Sequence, residues 1–252
     1  MEHICKNCGH NHTLIFCNQC GQKVIQHRFT TKQLFHDLFH NLIHIDKGFF
    51  YTFYSLLVRP HVVIMEYLNG ATRKYTNPAQ FAIYLVAIAT FFLVKQGYIE
   101  KNSESFNSMI DINNQQSQDF TKSFMELIKN NLNYFTLLFL PFFALSSKWL
   151  FKVYNYAEHL IIHCYIYGLI TILSLPIALY MDHYAVLKLI NFVLVISIYS
   201  FSFYKLFNNK RFITVLKSIV FFILSYALFS AMLVLGTYIY LILKKMITGH
   251  AF

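Results

Sequence analysis

Charge is scarce in this chain. Only 13% of its 252 residues are Asp, Glu, Lys or Arg, about half the share carried by a soluble globular domain, and this argues against a fold that lives in water. Acidic residues are the rarer sign, 11 against 21 Lys and Arg. Several local patterns that announce chemistry are also missing. There is no glycine-rich phosphate loop, no nucleophile elbow and no His-Glu-x-x-His pair. Nucleotide-phosphate, serine-hydrolase and zincin sites of the usual local kind are thereby excluded, and no catalytic set emerges. Any enzymatic site would have to be assembled from scattered residues.

What is present is apolar. Hydrophobic residues make up 56% of the chain, with 27 Phe and 18 Tyr, and mean hydropathy is +0.45. This composition predicts an all-α polytopic membrane protein. Five runs approach the roughly 20 residues that a bilayer requires: 77–94, 134–150, 159–180, 186–207 and 219–243. Asn77 is placed to cap the first and Pro78 to open it. Pro141 is expected to kink the second, and Pro176 lies within the third. No long apolar run occurs before residue 77, so no secretory signal peptide is expected ahead of it. Three regions follow: a head at 1–26, interfacial helices at 29–76 and a bundle of about five spans at 77–252.

The head is the exception to the apolar rule. Cys5, Cys8, Cys17 and Cys20 form two Cys-x-x-Cys pairs, each able to offer two thiolates from one tight turn. Four such ligands complete the tetrahedral shell of a structural Zn²⁺, one per chain. Gly9 and Gly21 follow the pairs and suit turns that need positive φ. Two disulfides or a redox pair are the competing readings; the first requires export and the second a βαβ context. His3, His10 and His12 are read as surface residues.

Orientation follows from Lys and Arg in the short loops. With the N-terminus in the cytoplasm, most of the 21 fall inside, and the loop at 98–131 carries five acids against three lysines. Lys244 and Lys245 are the misfits, unless the last span is split or re-entrant. Placement in the cytoplasmic membrane, with the head cytoplasmic and its thiols reduced, is the expectation. The formal charge of +10 then reflects orientation and attraction to anionic lipid, with nucleic acid disfavoured.

Between head and bundle, Thr30 or Thr31 can cap an amphipathic helix running to Phe49, with a second short helix over 62–68 stopped by Gly70. Both are expected at the inner surface. His36, His40 and His44 recur every four residues beside the apolar face. They could form a second metal site or a proton-sensing strip, or simply hydrogen-bond to headgroups, which is the favoured reading. Asp46 would need a basic partner such as Lys47, Arg59 or Arg73.

The segments "FCNQCGQK", "DKGFFYTFYSLLVRP", "EYLNG", "RKYTNP" and "NYAEHLI" resemble a bacterial family of zinc-ribbon-headed multi-span membrane proteins whose activity is not established. That family is in turn distantly similar to the five-span Yip proteins. The resemblance implies five spans and a cytoplasmic N-terminus, and it implies no reaction. Where that family carries a Lys-Arg pair after the glycine, this chain has Ala71-Thr72, with Arg73-Lys74 following.

Inside the bundle, Glu158 and His159 stand at the mouth of the third span, and His159, His163 and Tyr167 recur at four-residue steps. A structural role in joining helices is favoured for this stripe, with Glu158 the exception because a carboxylate there needs a dedicated partner. Three functional readings follow. The first is a non-enzymatic adaptor or membrane organiser whose head recruits a cytoplasmic protein, in a chain able to form homo-oligomers. The second is a channel, transporter or membrane-disrupting effector using the stripe. The third is a lipid-modifying enzyme centred on Glu158, His159 and the histidine row.

Overall fold

The computed structural model describes residues 3–25, 27–34, 36, 48–96, 137–181, 184–208 and 210–248. The head is a short antiparallel pair, β1 (His3–Ile4) and β2 (Asn11–His12), with an isolated bridge between Phe16 and Lys23. Helices follow: α1 (Phe49–Val58), α2 (Pro60–Leu68), α3 (Pro78–Lys95), α4 (Phe139–Leu150), α5 (Tyr156–Ala178), α6 (Ala185–Phe207) and α7 (Arg211–Thr248).

Four stretches among the described residues are long and apolar enough to cross a bilayer: α3, α5, α6 and the part of α7 from Arg211 to Leu233. The chain is therefore a helical, multi-pass membrane protein by length and composition. The expected second span is represented by α4, whose 12 residues reach only about 18 Å, short of a hydrocarbon core of about 30 Å. Residues 134–136, with which that span was to begin, lie outside the described residues. Pro141 stands in the first turn of α4, where a missing N–H costs little. The last helix departs from expectation more sharply. It begins at Arg211, eight residues before the predicted start, and runs unbroken through Lys244 and Lys245. No split or re-entrant element relieves those lysines.

Capping explains the helix starts. The Asn77 side chain accepts hydrogen bonds from the backbone N–H groups of Ala79 and Gln80, and Pro78 occupies the first helical position. Asn155 and Glu158 form a capping box at α5, with each side chain meeting the other's backbone N–H.

Helix α5 is the axis of the bundle, touching α1, α2, α3, α4 and α6. Its most apolar window is 56% buried, against 22–39% for the other three spans. The tightest approach is to α3. A Cβ added at Gly168 would lie 3.1 Å from the Phe81 ring and 3.2 Å from the Ala82 Cα, so a side chain here would push α3 away by a few tenths of an ångström and glycine favours the close approach. Beneath this contact, Tyr165 donates to the carbonyl of Thr76 at 2.6 Å, Thr76 N–H donates to the Thr52 hydroxyl, and Thr52 donates to the carbonyl of Gly48. The base of the bundle is thereby pinned to α1.

Helix α1 has an inverted polarity. It buries Thr52, Ser55 and Leu56 while Phe50, Tyr54 and Val58 are exposed. Thr52 and Ser55 face inward beside Leu56 while three large apolar side chains face out, as lipid contact favours and water does not. Helix α2 instead buries Val63, Ile64 and Tyr67, with Tyr67 packed edge-on to Tyr165 and stacked on Phe29. It ends at Gly70, whose φ of +103° is a conformation that glycine adopts without strain.

Gly168→Val is expected to destabilise the bundle by about 1–3 kcal/mol, the usual range for overpacking, as measured by denaturation in detergent. Gly236→Ala, where an added Cβ meets nothing within 4 Å, is expected to leave stability within about 0.5 kcal/mol.

Candidate metal centre and its coupling to the bundle

The two cysteine pairs fold as matching turns. Gly9 N–H donates to the Cys5 carbonyl and Gly21 N–H to the Cys17 carbonyl, while Cys5 and Cys17 donate to the carbonyls of His10 and Gln22. Both glycines take positive φ, +77° and +69°, as these turns require. The turns bring all four sulfurs within 4.8 Å of one another, with Cys5 and Cys20 3.5 Å apart and Cys8 and Cys17 3.6 Å apart. Four thiols so arranged could hold a metal ion. Asn7, by hydrogen-bonding the Cys20 sulfur, brings that thiol down to about 6, while the neighbouring sulfurs help push the Cys8 thiol up to about 12, so the cluster shares its protons unevenly. Cys5 and Cys17 are buried and Cys8 exposed. His10 is exposed, as expected. His12 is not a surface residue. It is 7% exposed, pairs across the sheet with His3 and holds the Leu14 carbonyl through Nδ1.

The head is docked on the segment joining α2 to α3. Buried Gln22 is the hinge pin: its Nε2 donates to the Thr72 hydroxyl and the Lys23 carbonyl, and its Oε1 accepts from Arg73 N–H at 2.8 Å. The Arg73 guanidinium donates to the Gly21 carbonyl at 3.1 Å. Arg73 therefore serves the head, while Lys74 pairs with Glu66 at 2.8 Å beside the Tyr75 hydroxyl at 2.7 Å. Burial pushes the Glu66 carboxyl up, but the hydrogen bonds from Lys74 and Tyr75 outweigh it and hold the group below its ordinary value.

A second tie joins the following linker to α5. Arg28 donates through two nitrogens to the two oxygens of Glu158, Nε at 2.9 Å, and the Asn155 amide donates to the Phe29 carbonyl at 3.0 Å. Glu158 is 5% exposed and also accepts from Asn155 N–H. Its dedicated partner is thus Arg28, and the charge sits at a helix N-terminus, where the dipole favours it.

One residue further along, His159 points the other way. Its Nε2 faces the Phe151 carbonyl at 3.0 Å and its Nδ1 faces the Ser147 hydroxyl at 2.9 Å. The same hydroxyl meets His163 Nε2 at 2.7 Å. Both histidines have no exposed surface. The predicted stripe is a buried hydrogen-bonded set across α4 and α5, flanked by Phe143, Phe203, Phe207 and Phe221. The structure does not bring Glu158 and His159 to one site: Glu158 serves the linker and His159 the core.

Of the histidine row, His36 is described, whereas His40, His44 and Asp46 lie outside the described residues. The helix that Thr30 was to cap begins at 31, with the Thr30 hydroxyl accepting from Gln33 N–H. Sequence patterns did not single out Gln22, Arg28, Asn155 or Ser147. Asn155 had a readable signal, because Asn-x-x-Glu ahead of an apolar run is a capping box. Nothing in the sequence marks Ser147.

Comparison with known proteins adds one match. The model of a family described as "Protein of unknown function (DUF3667)" matches residues 46–92. This stretch holds three of the motif segments, α1, α2, the head-docking turn and most of α3. No curated protein and no solved structure matches the chain.

Arg28→Ala is expected to cost about 1.5–3 kcal/mol, the range for a hydrogen bond to a charged group, because it strands a buried carboxylate. Glu158→Gln keeps a neutral acceptor and leaves Arg28, whose side chain is 60% exposed, to water. It is expected to cost less, in the same detergent denaturation assay.

Proposed function

We propose that the chain is a membrane adaptor: a five-span protein of the bacterial inner membrane whose zinc-folded cytoplasmic head presents a docking surface for a cytoplasmic protein. The observation that carries this reading is the exposed apolar tip of the head. Leu14, Ile15 and Phe16 follow one another between the two cysteine pairs and are 62, 68 and 54% exposed. A domain of this size has little hydrophobic core of its own, and the metal would hold three large apolar side chains in water instead of letting them collapse. Such display is what protein docking uses.

Zinc suits the donor set. Four thiolates at about 2.3 Å from a tetrahedral zinc stand about 3.8 Å apart, close to the observed 3.5 and 3.6 Å, and a closed thiolate shell leaves no open position for chemistry. Its contribution is to folding. In this reading the segment that ends in α4 is counted as the fifth span. Anionic lipid favours the basic inner surface, and homo-oligomers remain compatible with the lipid-facing helices.

Two measurements test this. Metal analysis of detergent-purified protein is expected to give one zinc per chain, and none after all four cysteines are changed to serine. Metal retained in that variant would point to the His36, His40 and His44 row and to the enzymatic reading. Photo-crosslinking from position 15 in native membranes is expected to yield a discrete protein adduct that Leu14→Asp abolishes while zinc content is unchanged. Adducts to lipid alone would remove the adaptor reading.

A further inference from the structure

The buried histidines have a direction. A carbonyl only accepts, so His159 Nε2 carries the proton it gives to Phe151 and its Nδ1 is bare; the one Ser147 hydroxyl proton lies between that Nδ1 at 2.9 Å and the Ala144 carbonyl at 3.2 Å. Ser147 Oγ must then accept from His163 Nε2–H, which leaves His163 Nδ1 bare. These tautomers follow from the network. His163 Nδ1 is a buried acceptor without a partner among the described residues, and so is the hydroxyl of Tyr199, whose ring lies 5.8 Å from that of His163. In hydrocarbon, two stranded polar groups are costly.

Tyr199 also lines a cavity of about 270 Å³ that includes Tyr167, Thr171, Ser174, Asn191 and Tyr226. Ser174 Oγ and Asn191 Oδ1 likewise lack partners among the described residues. The volume holds several waters, which would satisfy these groups. At the other end, the His159 ring is 6.3 Å from that of Tyr154, which lines an open cleft with Lys148, Trp149 and Lys152. From Ser174 down to His159 the polar column follows α5 for about 22 Å, most of the hydrocarbon thickness of about 30 Å.

We propose that this column is a proton pathway across the membrane, hydrated in the cavity and dry through His163, Ser147 and His159. A proton delivered by cavity water through Tyr199 binds His163 Nδ1. The Nε2 proton passes to Ser147 Oγ, the serine proton passes to His159 Nδ1, and the His159 Nε2 proton leaves toward the Tyr154 cleft. One proton enters, one leaves, and no electrons move. Both rings end in the opposite tautomer, so turnover waits on their rotation. Contacts of 2.7–3.0 Å along the chain leave no passage for a hydrated ion. This pathway needs the multi-pass architecture but not the adaptor role.

The test uses full-length protein in liposomes containing a trapped pH dye, with a potassium gradient and valinomycin supplying the driving force. Proton entry faster than in protein-free vesicles is expected. Ser147→Ala is expected to lower it by about a hundredfold, the lower end of the range for loss of a positioned proton-transfer group. Tyr199→Phe deletes only an unpartnered hydroxyl, so it should fold as the parent does and still slow the flux severalfold. Flux equal to that of empty vesicles, or flux that survives either substitution in folded protein, overturns the proposal. A conductance carrying potassium as readily as protons overturns it too.

Discussion

The architecture turns on one carboxylate. Glu158 sits buried at the first turn of the central helix, where an unpaired charge would be expensive and where three favourable effects converge. The helix dipole points its positive end at the group, Asn155 N–H donates to it, and Arg28 meets it with two donors. Remove those partners and a buried charge stands uncompensated at the helix start. Because Arg28 belongs to the linker behind the head, satisfying Glu158 also fixes where that linker runs. Phe29 is then stacked on Tyr67, and Tyr67 packs against Tyr165 in the middle of α5. A polar requirement at a helix start thus organises the apolar packing above it.

Lipid as the solvent explains features that would be faults in water. Helix α1 turns Phe50, Tyr54 and Val58 outward and its hydroxyls inward; hydrocarbon favours that arrangement, and the Thr52 hydroxyl is paired within the protein. Ser218 and Ser225 on α7 return their protons to the carbonyls four residues back, the usual solution for a serine in an apolar helix. Helix α7 is about 57 Å long at 1.5 Å per residue. It exceeds any bilayer core, so part of it extends past the hydrocarbon and Lys244 and Lys245 need not lie within it.

Local chemistry was legible in the sequence and pairings across distance were not. Two Cys-x-x-Cys turns, the Asn77-Pro78 helix start and the first, third and fourth apolar runs each rest on interactions spanning a few residues, and each appears close to where the spacing put it. Glu158 could be recognised as needing a partner, because that is a property of one residue at one depth. Which cation answers it depends on how the linker folds back over 130 positions, and no periodicity encodes that. Ser147 illustrates the same limit: a serine in an apolar run looks like any other until α4 is laid against α5. The last span was misplaced because hydropathy marks the apolar centre of a helix, whereas its true start at Arg211 is polar.

The adjacency of Glu158 and His159 has a mechanical consequence. Successive residues on a helix point about 100° apart, so one turn of α5 can face the aqueous linker on one side and the dry histidine set on the other. Neither group can shift along the helix axis without moving its neighbour, since the capping box holds the backbone of that turn rigid. Arg28 lies only eight residues past Cys20 and is tethered in between by Gln22, so the folded head keeps the arginine near its carboxylate at little loop-closure cost. Without a folded head the same arginine would have to find Glu158 from a longer, looser chain. The cysteine turns and the buried histidines are therefore joined through a single helical turn, although among the described residues they share no direct contact.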